Sequence, residues 1–207
     1  RHVDFLEIWN DPSWPDNQTE NPAAVAMWSR WLNAGHRITA IGGSDFHTPF
    51  PSETPDGQPV GRHHISQPTT YVYAETLSGT AIIEGLKQRH AYMSMGPTVA
   101  FSATAAGQSW MIGDDIGEYA GPIEFEAAAH GQGELTIQLI RNGTVVNQAE
   151  HENEVKLSCT ETVTAGESAW FRIDVRSADQ KFLAVTNPIF CGPPLSITKF
   201  YYGDFLS

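Results

Sequence analysis

Arg37-Ile38-Thr39-Ala40-Ile41-Gly42-Gly43-Ser44-Asp45-Phe46-His47 decides how the first half of this chain is read. The apolar positions up to Ile41 predict a short strand, and the two glycines end it. In extended backbone, residues i and i+2 project to the same side. Asp45 and His47 are therefore expected to point together, with Phe46 turned away. The C-terminal end of such a strand is where α/β barrels and open α/β sheets build their sites. A carboxylate oxygen beside an imidazole nitrogen suits Zn, Mn or Fe(II). The spacing alone also fits a plainer arrangement, an Asp that caps a turn and a His packed in a loop. Two ligands are too few for a tight centre, so further ones would have to come from elsewhere.

Working outward, Val3-Asp4-Phe5-Leu6-Glu7-Ile8-Trp9 reads as a buried strand ending at Asn10-Asp11-Pro12. A chain that starts at Arg1 and enters a strand at once is expected to lack upstream sequence. A helix is predicted over about Pro22–Ala34, with Asn21 as its cap, Pro22 in its first turn and Gly35 at its end. Val25, Trp28 and Leu32 fall on one apolar face. Helical spacing makes Trp28 and Trp31 core or interface residues. A long loop covers about 48–68, followed by a strand at Thr69–Ala74 and a helix at about Ser78–Arg89.

After Gly96-Pro97 the texture changes. Strand-like runs appear at Thr98–Ala103, Ile123–Ala129, Glu134–Arg141, Thr144–Ala149, Val155–Cys159, Ala169–Arg176 and Phe182–Thr186, with a hairpin expected at Asn142-Gly143. Short strands at this spacing suggest an antiparallel β-sandwich of immunoglobulin-like type. The fold class is thus α/β plus all-β, divided into 1–95 and 96–207.

Composition narrows the function. Apolar residues make up 41% of the 207, enough for a packed core. The formal net charge is -12, with 12 Lys+Arg against 24 Asp+Glu. That balance argues against a nucleic-acid partner, because phosphate neutralisation needs clustered cations. No apolar stretch reaches the length of a membrane-spanning helix. Cys159 and Cys191 form no Cys-x-x-Cys pair, which excludes a zinc knuckle. There is no Gly-x-Ser-x-Gly nucleophile elbow and no Walker-type phosphate loop.

Gly42-Gly43-Ser44-Asp45-Phe46-His47 resembles the last metal-binding segment of the PHP (polymerase and histidinol phosphatase) family of metal-dependent hydrolases. Asp4-Phe5-Leu6-Glu7-Ile8-Trp9-Asn10 resembles the family's strand before it, and Gly61 with Pro68-Thr69-Thr70-Tyr71-Val72 resembles the family's segment after it. Leu86-Lys87-Gln88-Arg89-His90-Ala91-Tyr92 and Gly96-Pro97 are similar to a branch that includes carbaryl-hydrolase-like enzymes, in which a β-rich domain comes after the barrel. Ala169-Trp170-Phe171-Arg172 and Ala184-Val185-Thr186-Asn187-Pro188-Ile189-Phe190 resemble that domain's last strands. The resemblance implies the C-terminal part of a distorted β/α barrel. It also implies a cluster of two or three divalent ions (Zn, Mn or Fe) and water activated on metal to cleave a small phosphoester, ester or carbamate. Asp45 would bind one ion and His47 another. The family's opening His-x-His is absent from the eight histidines, so the fragment is expected to bind metal weakly and to be a poor catalyst by itself.

Other candidates carry two readings each. Asn10, after the first strand, either lies near substrate or forms a turn. Glu7 is either beside the site or a paired strand residue. Arg62, His63 and His64 either reach an anionic substrate or complete a metal site, or else belong to an exposed polar loop. A half barrel exposes apolar surface, which favours a homo-oligomer. The competing function is a non-catalytic binding or structural module built on the β-sandwich. Where the protein resides in the cell is not legible from these residues.

Overall fold

A computed structural model describes residues 3–46 and 65–205 of the chain. Strand β1 (Phe5–Trp9) and strand β2 (Thr39–Gly42) lie parallel, joined by helix α1 (Asn17–Asn33). Parallel neighbours need such a crossover. The helix starts earlier than Asn21 and Pro22 suggest, and Pro22 lies inside it. Its first turn is supplied from the preceding loop: the N–H groups of Asn17, Gln18 and Thr19 donate to Trp14, Pro15 and Asp16. Asn21 is therefore free of capping duty. Its side chain accepts from the N–H of Asn10 at 2.9 Å and donates to the carbonyl of Asn10 at 2.8 Å, fastening the helix to the end of β1. Trp28 is fully buried and donates to the Ile38 carbonyl, as its helical spacing implied.

The remaining strands are β3 (Thr69–Val72), β4 (Ala91–Ser94), β5 (Thr98–Ala105), β6 (Gln108–Met111), β7 (Gly121–Arg141), β8 (Thr144–Val163), β9 (Ala169–Arg176), β10 (Phe182–Thr186) and β11 (Ile189–Cys191). Helix α2 (Gly79–Lys87), capped by the Ser78 hydroxyl, connects β3 to β4. One hydrogen-bonded path runs β3-β4-β10-β9-β7-β5-β6, with β8 on β7 and β11 on β9. Its neighbours are antiparallel, so the described chain is mostly antiparallel sheet with few helices.

The separate runs expected at 123–129 and 134–141 are one strand, β7, and those at 144–149 and 155–159 are one strand, β8. The ladder between them slips between His130 and Glu134, where Gly131 and Gly133 bend the strand without ending it. Asn153 opposite accepts the Gly133 N–H at 2.9 Å. The first half of β7 pairs with β5 and the second with β9. Phe125 of the first half nonetheless packs on Phe171 of β9, ring centroids 4.5 Å apart. The sheet thus curls over on itself. Phe101, Ile123, Ile137, Leu139 and Ile173 fill the space it encloses. The path joins strands that a sandwich would divide between two sheets. At the other end of β7, the expected hairpin forms with Asn142 and Gly143 both at positive φ (52° and 92°).

Hydrogen bonding also crosses residue 95, because β4 pairs with β3 on one side and β10 on the other. The parallel pair is joined to this sheet by side chains. Asn187, fully buried, accepts from the Ala40 N–H at 2.8 Å and donates to the Ala40 and Ala91 carbonyls at 3.0 and 2.9 Å. The Thr70 hydroxyl accepts from the Gly42 N–H and donates to the Gly42 carbonyl. Helix α1 rests on β9, where buried Arg172 donates to Ser29 and, with two nitrogens, to Asp174. The tail returns to the helix, with the Lys199 carbonyl 2.6 Å from the His36 ring. Cys159 and Cys191 are both free thiols. No described helix is long and apolar enough to cross a membrane.

Candidate functional site

The parallel pair ends at Trp9 and Gly42, and the chemistry of interest lies just beyond. Gly43 donates to the Trp9 carbonyl at 3.1 Å, holding the segment after β2 against β1. A side chain at Gly42 would meet the Trp9 carbonyl oxygen at 2.9 Å, Pro68 at 3.2 Å and Met93 at 3.3 Å. Only glycine fits there, which explains the first of the two glycines that end β2. The second lies beside Glu7: a Cβ on Gly43 would sit 3.4 Å from Glu7 Oε1.

Asp45 follows at the surface with φ 47°. That left-handed conformation is one Asp tolerates better than most residues. The alternation that placed Asp45 and His47 on one side assumes extended backbone, so it does not apply through Asp45. His47 lies outside the described residues, as do Arg62, His63 and His64.

Glu7 stands on β1 opposite Ile41 in the register. Partial desolvation, and then the negative charge of Asp45, raise its pKa above the ordinary carboxylate value. Glu7 thus feels the charge of Asp45, which stands three residues beyond the end of β2. The signal in the sequence was an acidic residue inside an otherwise apolar strand. The Asn10 side-chain oxygen accepts from the Asp11 N–H at 2.6 Å, and its backbone is held by Asn21. Among the described residues no three His, Cys, Asp or Glu side chains converge in a metal-holding group.

Sequence reasoning passed over Asp174 and Arg176. Asp174, 2% exposed, is bidentate to Arg172, and Arg176 reaches its other side at 3.7 Å. Alternation along β9 gives no hint of them, because the strand is buried on both faces through Val175.

No family model and no curated protein matches the chain. Among solved structures, the crystal structure of an engineered protein is similar over 48% of this chain, at 16% identity and a TM-score of 0.29. The chain spans 21% of that structure's length. A likeness of that size carries no argument about function.

Proposed function

We propose that this chain is the C-terminal portion of a metal-dependent hydrolase of the PHP type. In that reading residues 1–95 belong to its β/α barrel and residues 96–207 to an immunoglobulin-like β-sandwich domain. The observation that carries the proposal is the placement of Asp45 beyond a parallel strand's C-terminal end, with Glu7 of the neighbouring strand reaching to Gly43, two residues before it. Ligands of α/β folds bind at that end. Carboxylates gathered at one strand end repel, and a divalent cation relieves the repulsion. Oxygen donors of this kind fit Zn, Mn or Fe(II). Asp45 would hold the ion through its carboxylate, and His47 would add a neutral imidazole. The ion, when bound, polarises a carbonyl or phosphoryl oxygen and lowers the pKa of the attacking water. Arg62 and His63, on the segment between β2 and β3, would meet the anionic part of a small phosphoester or ester. The remaining ligands would come from elsewhere in the barrel, so this chain by itself would bind metal more weakly than the whole barrel, yet measurably when equilibrated with excess ion.

The test is metal content by elemental mass spectrometry after equilibration with Zn and Mn. The parent is compared with a variant carrying Asp45→Ala and His47→Ala. Metal retained by the parent and lost from the variant supports the reading. Equal content in the two would leave a non-catalytic module built on the curled sheet as the better account.

A further inference from the structure

A cavity of about 580 Å³ lies between the first turn of α1 and the connection from β9 to β10. It opens at the C-terminal end of β1, where Trp9 forms part of its wall. The volume falls in the range of small-molecule sites, which combine apolar walls with a few polar groups. Phe182 supplies an aromatic wall, backed by buried Trp9 with ring centroids 6.0 Å apart, with Met95 and Leu183 beside it.

Arg176 is the group that gives this cavity a chemical character. Its guanidinium carbon stands 3.4 Å from the Phe182 ring centroid. Nη1 donates to the Gln180 carbonyl at 3.1 Å. Nη2 reaches Asp174 only at 3.7 Å, beyond hydrogen-bond length. Nε is buried and has no hydrogen-bond partner among the described residues. A guanidinium has five N–H donors; with Nε closed off by burial and one Nη1 donor on Gln180, the rest of the two Nη groups stays unspent. The charge is unmatched as well. Asp174 is engaged by Arg172 through both oxygens, so two arginines share one carboxylate. The other charged pair in the wall, Lys181 with Asp179 at 2.6 Å, is self-compensating.

The neighbouring groups are already committed. The first-turn N–H groups of α1 are spent on Trp14, Pro15 and Asp16, and Asn21 is spent on Asn10. Recognition therefore falls to the arginine and the aromatic wall. We propose that this cavity binds a small organic anion with an apolar body. Its carboxylate or phosphate meets the terminal Nη donors of Arg176, and its body lies against Phe182, Leu183 and Met95. Such Arg–oxyanion contact is charge-assisted and stronger than a neutral hydrogen bond. The inference needs no metal and stands whether or not the hydrolase reading does.

The experiment is isothermal titration calorimetry on this chain in EDTA, with phenyl phosphate and with benzyl alcohol, its uncharged counterpart. The variants are Arg176→Met, Gln18→Trp, which fills the cavity from an exposed helix position, and Asp45→Ala. Phenyl phosphate should bind at least tenfold more tightly than benzyl alcohol. Arg176→Met and Gln18→Trp should each weaken it at least tenfold, and Asp45→Ala should leave it unchanged. Equal binding of the two probes, no binding at millimolar concentration, or binding lost only in Asp45→Ala overturns the proposal. If Arg176→Met does not fold by circular dichroism, Gln18→Trp decides: undiminished phenyl phosphate binding there sinks the idea.

Discussion

Asn187 meets the main chain of Ala40 as a neighbouring strand would, its amide oxygen accepting the N–H and its amide nitrogen donating to the carbonyl. The same nitrogen donates to Ala91, so one buried side chain bridges β2 and β4. Asn187→Ala leaves the Ala40 N–H and carbonyl without partners in a site without solvent, while the Ala91 carbonyl keeps the Asn187 main-chain N–H. At roughly 1–2 kcal/mol for each of the two, the variant should lose about 2–4 kcal/mol, read from urea denaturation. Asn187→Asp should cost more, since a carboxylate would face two carbonyls. A loss under about 1 kcal/mol would mean that the two sheets are held together by packing instead.

Asp174 carries two arginines in the interior, one of which also holds Ser29 of α1. Breaking a buried pair by removing one partner strands the other charge. Asp174→Asn should cost about 3–5 kcal/mol and loosen α1 from β9. Faster amide exchange in α1 than in α2 would report that loosening, and unchanged exchange would contradict it.

Gly85, in α2, tests packing against propensity. Alanine is the better helix former by about 1 kcal/mol. A Cβ at this position, however, runs into the backbone carbonyl of Tyr73 and into Val72. Backbone cannot move aside as a flexible side chain can. Gly85→Ala should therefore destabilise by about 1–3 kcal/mol, the range for overpacking. A rise in melting temperature would show that α2 shifts freely on β3.

Glu167 accepts from the N–H and hydroxyl of Thr164 and from Arg141. The Thr164 N–H, and then Arg141, hold its pKa below the ordinary 4.5. A depressed carboxylate pKa means the unfolded state binds more protons, so its stabilisation is present above pH 4.5 and lost as pH falls through the folded value. Glu167→Gln should flatten the decline in stability below pH 4.5, measured by denaturation at stepped pH. An acid limb as steep as the parent's would count against this contact.

Local signals carried part of the fold. The helical face of Val25, Trp28 and Leu32 follows from periodicity, the Asn142-Gly143 turn from turn chemistry, and strands β9 and β10 from runs rich in apolar and β-branched residues between turns. What escaped depends on partners distant in sequence. Asn21 reads as a helix cap, but residues 14–16 already serve the first turn, and its amide goes to Asn10. Gly131 and Gly133 read as a break between strands, whereas the long ladder with β8 carries β7 through them. At the candidate site, the glycines, Asp45 and Glu7 on the neighbouring strand stood out in the sequence, but the left-handed backbone at Asp45, which breaks the alternation, did not. Arg176 beside an occupied carboxylate could be seen only in three dimensions.

Side chains seal one flank of the parallel pair, for Ala40 and Gly42 spend their outward N–H and carbonyl groups on Asn187 and Thr70. The opposite flank differs. Asp4 accepts from Thr39, so alternation directs the main chain of Phe5 and Glu7 away from β2, and β1 pairs with β2 alone among the described strands. Any further parallel strand has a single berth, alongside β1. The small sheet can be extended in one direction only, so the barrel of the proposed reading would stand open at β2, its inner margin.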